Sequence, residues 1–174
     1  MNLNEEPIVN KVAQSGLITI DLEEFLFRGD VVEFDMKEHL FHGLILKEKD
    51  FRAFIKDHDW EQYSGKVVAV FCSTDAIVPT WAYMLVANKL SGIAASVHFN
   101  QAADVKRTLL IQNVDALDIT EFADQRVVIK GCGDDEVSPA AYVRITERLT
   151  PIVKNIMYGE PCSTVPIYKK KVQR

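Results

Sequence analysis

From Lys66 onward the hydrophobic positions alternate between two periods. Val67, Val68, Val70 and Phe71 form an unbroken β-branched and aromatic run. Its lack of alternation predicts a strand covered on both faces. Pro79 to Leu90 is apolar almost all round and predicts a helix. Pro79 suits its first turn, where a missing N–H costs nothing. The same scheme recurs down the chain: strands are predicted at Val67–Phe71, Ala95–Phe99, Val127–Lys130 and Val153–Met157. Helices are predicted between them at Pro79–Leu90, Ala102–Asn113 and Pro139–Leu149. Ser138-Pro139 supplies the last helix with an N-cap and a proline at its first position. A helix in each gap between strands makes βαβ units with right-handed crossovers. The expected fold is α/β, a mostly parallel sheet with flanking helices, three-layered and Rossmann-like, with residues 61–174 forming its βα units.

Residues 1–60 read as an irregular addition to that sheet. Pro7 to Gln14 suits a short helix with Ile8, Val12 and Leu17 on one side. Ile18–Leu22 and Val32–Met36 alternate, and each closes on Asp followed by an acidic, helix-favouring segment. Both are expected to be strand-then-turn units, paired with each other as a small antiparallel feature. Phe51, Phe54 and Ile55 fall at i, i+3 and i+4 with Lys and Asp opposite, the pattern of an amphipathic helix. No Gly/Ser linker interrupts the 174 residues, so one domain over 1–174 is expected.

Composition narrows the function classes. At 48% hydrophobic and 26% charged residues the chain has an ordinary globular make-up. A net charge of −5 argues against general nucleic-acid binding, which needs a basic footprint. Lys169, Lys170 and Lys171 with Arg174 are expected to be a solvated tail. No apolar stretch approaches the ~18 residues of a membrane span, and the first residues lack a signal-peptide pattern. Three cysteines, an odd number, do not suggest a disulfide framework. A cytoplasmic protein is expected. Sheets of this size often pair into dimers, so a homodimer is an expectation of the class, carried by no particular residue.

The candidate chemistry is sulfur chemistry. KVVAVFC (Lys66–Cys72) and RVVIKGC (Arg126–Cys132) match in shape, each after an aromatic lead-in, Tyr63 or Phe122. Two such strands in one parallel sheet would bring both cysteines to its carboxyl-terminal edge, where α/β sheets build their ligand sites. Cys162 follows the last predicted strand. The trio Cys72, Cys132 and Cys162 would suit zinc or an iron–sulfur cluster, with a fourth ligand from Asp75, Asp134, His98 or outside the chain. Cys-Ser-Thr occurs twice, so Ser73, Thr74, Ser163 and Thr164 could donate hydrogen bonds to the sulfurs. No CxxC pair is present, and the bland alternative is that cysteine is a small hydrophobe often buried near strand ends. Two other readings stay open: a thiol enzyme using Cys72 or Cys132 with His98 as base, and an interaction module whose cysteines are structural. His39, His42 and His58 are expected on polar faces. Trp81, Tyr83 and Met84 are expected in the core. No GxGxxG or GxxxxGK[ST] supports nucleotide binding.

The segments GLILKEKDFRAF (Gly43–Phe54), CSTDAIVPTWAYM (Cys72–Met84), KGC (Lys130–Cys132) and GEPCSTVPIYKKK (Gly159–Lys171) resemble a family of uncharacterised bacterial proteins, domain of unknown function 2480. The resemblance covers nearly the whole chain. His39 departs from it, standing where an aromatic residue is expected. The resemblance implies no activity. It does imply a gene neighbourhood of iron–sulfur assembly, which makes iron–sulfur assembly proteins candidate partners for a thiol site.

Overall fold

The computed structural model describes residues 16–131 and 137–171. The predicted helix Pro7–Gln14 and the candidate ligands Cys132 and Asp134 therefore lie outside the described residues. The fold is α/β, and the chain divides into two compact units. One is continuous, Phe27–Leu109; the other is split, Met1–Leu26 with Leu110–Arg174.

The first described strand, β1 (Leu17–Asp21), belongs to the split unit, and the next, β2 (Val31–Asp35), opens the continuous one. The continuous unit proceeds through α1 (Glu48–Asp57), β3 (Val67–Phe71), α2 (Thr80–Leu90) and β4 (Ser96–Phe99). Its sheet is wholly parallel in the order β2-β3-β4. Every residue of β3 is buried, as its unbroken apolar run requires. Val68 and Val70 pack with Phe51 and Ile55 of α1 and with Ala82, Val86 and Leu90 of α2. Val67 and Ala69 face the other way, onto Val105 and Leu109.

Those last two residues belong to α3 (Ala102–Ala116), which the unit boundary divides between Leu109 and Leu110. The split unit continues with β5 (Arg126–Lys130), α4 (Pro139–Leu149), β6 (Asn155–Glu160) and β7 (Ser163–Lys169). Its sheet has the order β1-β5-β6-β7, parallel except for the final antiparallel pair. Leu110 and Val114 of α3 join Ile20, Val127, Ile129, Ala141, Ile145 and Leu149 in its core.

The two units repeat one design. β1 and β2 share a burial pattern, and each ends in an aspartate, Asp21 or Asp35, that caps a 3₁₀ turn. The caps are alike in detail: Asp21 Oδ1 accepts from Glu23 N at 3.1 Å, and Asp35 Oδ1 from Lys37 N at 3.0 Å. From α1 onward a single sequence offset relates the units. It pairs Phe51 with Leu110, Ile55 with Val114, Tyr63 with Phe122, and the helix residues Ala82, Val86 and Leu90 with Ala141, Ile145 and Leu149, all buried. It also pairs the backbone. Gly65 N donates to Ile93 O at 2.9 Å, and Asp124 N to Ile152 O at 2.8 Å. Gly65 and Asp124 both have positive φ, +67° and +54°. This is a turn that glycine enters freely and aspartate tolerates. The strand registers agree too: Val31 pairs with Val67 and Val67 with Ser96, as Leu17 pairs with Arg126 and Arg126 with Asn155.

Several expectations are corrected. β1 and β2 do not pair with each other; each finds a parallel partner far along the chain, because both have a buried face to cover. β3 and β5 lie in different sheets, so their resemblance reflects duplication and not adjacency. The offset sets Cys72 opposite Gly131, not opposite Cys132. Lys169 and Lys170, expected in a solvated tail, are held instead: Lys169 ends the strand β7, and Lys170 is tied in by its N–H to Lys154 O at 2.8 Å and its Nζ to Asp124 at 3.0 Å. Pro79 is the residue before α2, not within its first turn.

Candidate functional site

The ends of the two central strands differ where the cysteine was expected to matter. In the continuous unit β3 runs into Cys72, whose half-buried thiol donates to Thr74 O at 3.5 Å. Asp35, at the end of the neighbouring strand, accepts from Ser73 N at 3.0 Å. Burial opposes the Asp35 charge, but the hydrogen bonds from Ser73 and Lys37 outweigh it and hold the carboxyl below its ordinary value. Burial raises the Tyr83 phenol, and Cys72 and Asp35 push it further the same way. A thiol, a carboxylate and a phenol thus share one strand end.

In the split unit that arrangement is replaced. Gly131 takes the place of Cys72, and Tyr142, the counterpart of Tyr83, donates its hydroxyl to Gly131 O at 2.9 Å. A Cβ at Gly131 would come within 2.5 Å of that hydroxyl. Asp21 here pairs with Lys130 at 2.8 Å, and the Lys130 hydrogen bond holds the Asp21 carboxyl low.

What both units keep is an apolar groove between the second helix and the third strand. In the continuous unit a cavity of about 470 Å³ is lined by Val70, Tyr83, Met84, Ala87, Val97 and Phe99, among others. In the split unit one of about 590 Å³ is lined by Ile129, Tyr142, Val143, Thr146, Met157 and Tyr158, with Ile167 of β7. An aromatic pair stands in each, edge to face: Tyr83 with Phe99 at 5.1 Å and Tyr142 with Tyr158 at 5.6 Å. Such T-shaped contacts suit the ring quadrupoles. Met84 is 66% exposed and its counterpart Val143 70%, so the expectation of a core position for Met84 is corrected. α2 buries Ala82, Val86 and Leu90, packs Trp81, Tyr83 and Leu85 partly against the same core, and leaves Met84 on its outward side.

The predicted ligands distribute as follows. Cys72, Ser73, Thr74 and Asp75 belong to the loop after β3, and Ser73 spends its N–H on Asp35 and not on a sulfur. Cys162 is exposed in the turn between β6 and β7. Ser163 and Thr164 open β7, where the Thr164 hydroxyl donates to Met157 Sδ at 3.6 Å. Among the described residues no three His, Cys, Asp or Glu side chains gather closely enough to hold a metal ion.

His42 is exposed, as expected, but His39 and His58 are not on polar faces. His39 stacks on Phe34 at 5.3 Å and lies tilted against Phe54 at 4.0 Å, inside an aromatic cluster with His58 and Trp60. Burial, with His58 nearby, lowers its basicity. His39 therefore fills the aromatic position that the counterpart Phe25 fills in the split unit. His98 lies within β4, with Nε2 3.0 Å from Ser96 Oγ. Neither groove was foreseen, and the signal for both was the offset that pairs Tyr83 with Tyr142 and Phe99 with Tyr158.

The chain matches the family model described as protein of unknown function (DUF2480) over residues 6–170. It belongs to this family. No curated protein and no solved structure matches. The match spans both units, so the duplicated design falls wholly within the family's domain. Among the described residues no helix is long and apolar enough to cross a membrane.

Proposed function

We propose that this protein works by binding other polypeptides, as an interaction module in which Cys72 is structural. The observation that carries this reading is the groove present in both units. The offset preserves its aromatic pair and its exposed aliphatic residue, while the polar strand end beside it is rebuilt from one unit to the other. Cys72 fits a structural role: its thiol is half-buried and satisfied by Thr74 O. Exposed apolar surface of this kind is what docking sites present.

A second reading is favoured by the Cys72, Asp35 and Tyr83 grouping, which would suit a thiol-dependent reaction at the carboxyl end of β3. The three-cysteine metal site, Cys72, Cys132 and Cys162 with Asp75, is the third proposal, and it would carry iron–sulfur assembly partners with it.

One set of measurements separates them. Protein purified anaerobically is assayed for zinc and iron and titrated with an alkylating reagent, beside a Cys72→Ala variant. The interaction reading expects no stoichiometric metal and ordinary thiol reactivity, with Cys72→Ala changing stability alone. Metal in the wild type that the variant loses would replace this reading with the metal site. One fast-reacting thiol at Cys72, deprotonated near neutral pH, would replace it with the enzyme.

A further inference from the structure

The duplicated design shows what is missing from one of the two sheets. In the split unit the third strand, β6, is covered on its outer edge by antiparallel β7. Its counterpart in the continuous unit is β4, and among the described residues no strand pairs with its outer edge. The groove beside it is the more open of the two at its aromatic residue: Phe99 is 72% exposed, against 39% for Tyr158.

The edges differ in protection as well. Natural sheets discourage edge pairing with charge, proline or a bulge. β7, the outer strand of the split unit's sheet, has all three: Lys169, Pro166, and an irregular register against Ile156 and Met157. β2, the other edge of the continuous unit's sheet, carries Glu33 and Asp35. β4 is Ser96-Val97-His98-Phe99, with no acid, lysine, arginine or proline.

We propose that β4 is the joining edge of a symmetric homodimer. Two copies pair β4 antiparallel, so that the sheet runs β2-β3-β4 and on through β4-β3-β2 of the second copy. The grooves close over one another, with Phe99 and Met84 at their centre. This deepens the interaction reading above and rests on it. A second copy fits better than a foreign chain because of charge. In a two-fold interface every group near the axis meets its own copy, so any charge there meets a like charge. The chain carries a net charge of −5, yet the groove lining of Val70, Thr80, Tyr83, Met84, Ala87, Val97, His98 and Phe99 holds no acid, lysine or arginine. A strand this short contributes few backbone hydrogen bonds, so the groove side chains must supply most of the affinity.

The test is sedimentation equilibrium of the full chain at neutral pH from about 1 to 100 µM, the range in which a micromolar dissociation constant is read. It is made beside Phe99→Glu, Met84→Glu and Val143→Glu, each checked for folding by circular dichroism. The wild type is expected to dimerise. Both Phe99→Glu and Met84→Glu should weaken the dimer by at least ~30-fold, as loss of a central interface residue does. Val143→Glu, at the matching place on α4, should leave it intact. Amide exchange of Ser96–Phe99 should slow as concentration rises, which also tests the edge without any substitution. A wild type monomeric throughout overturns the dimer, as does a dimer that both groove variants leave unchanged. A dimer broken by Val143→Glu alone also overturns it by moving the interface to the other groove. None of these outcomes touches the interaction reading, which fails instead on metal content or on a reactive Cys72.

Discussion

The continuous and split units solve the same packing problem and then part company at one strand end. In the split unit Gly131 leaves room for the Tyr142 hydroxyl to reach its carbonyl. In the continuous unit Cys72 occupies the matching position, and Tyr83 stays beside a thiol and a carboxylate instead. The grooves, by contrast, are lined at mostly matching positions, with Ile167 of β7 added in the split unit. A duplicated scaffold therefore separates what the architecture demands from what each unit has specialised. The buried helix stripe and the aromatic pair belong to the first class; the strand end belongs to the second.

The largest effects should test the shared part. Leu90→Ala and Leu149→Ala remove counterpart residues that are both fully buried. Each should cost about 2–5 kcal/mol in denaturant unfolding, the usual range for such truncations. The equivalence breaks if one is tolerated and the other is not. Next comes the specialised strand end. Gly131→Ala drives a methyl into the Tyr142 hydroxyl and should cost roughly 1–3 kcal/mol, as overpacking does. Adding Tyr142→Phe should return part of that loss. Cys72→Ala, at the matching position, should stay within about 1 kcal/mol by the same measurement.

Smaller again are the two caps. Asp21→Ala and Asp35→Ala should each cost about 1 kcal/mol, as lost caps do. Asp35→Ala is expected to cost the more, since it also releases Ser73 N. The smallest effect is a pH dependence confined to the continuous unit. His39 has a folded pKa below its unfolded value of 6.5, so below that pH the unfolded chain binds the extra proton. Stability from this residue is full above pH 6.5 and falls as the pH drops below it. Thermal melts between pH 5 and 7.5 should show that slope, and His39→Phe, which copies Phe25, should flatten it.

Much of this architecture was legible in the sequence, for a physical reason. β3 and α4 begin and end where the apolar run and the Ser138-Pro139 start signal put them, because local burial and capping leave their mark on adjacent residues. Sheet membership was not legible. Buried parallel strands look alike whether or not they are neighbours, so the pattern places Val67–Phe71 and Val127–Lys130 in one sheet where the structure has two. β7 was hidden by Pro166 and its lysines, features that guard an edge strand and resemble a tail. Phe99 is 72% exposed beside a sheet edge that no described strand covers, a circumstance no local pattern records. The cysteine echo was real as a repeat but shifted by a residue.

The continuous α3 has a consequence for synthesis. The chain emerges from the ribosome with β1 first, yet β1's partner β5 follows the whole of the continuous unit. By the time Leu109 has been made, the continuous unit has all the residues its core uses, and the same helix then carries on as the first core helix of the split unit. A nascent chain should therefore shelter an unpaired β1 while the later-starting unit completes itself. The first-made of the described strands is among the last to be bonded, and a helix already half docked delivers its partner.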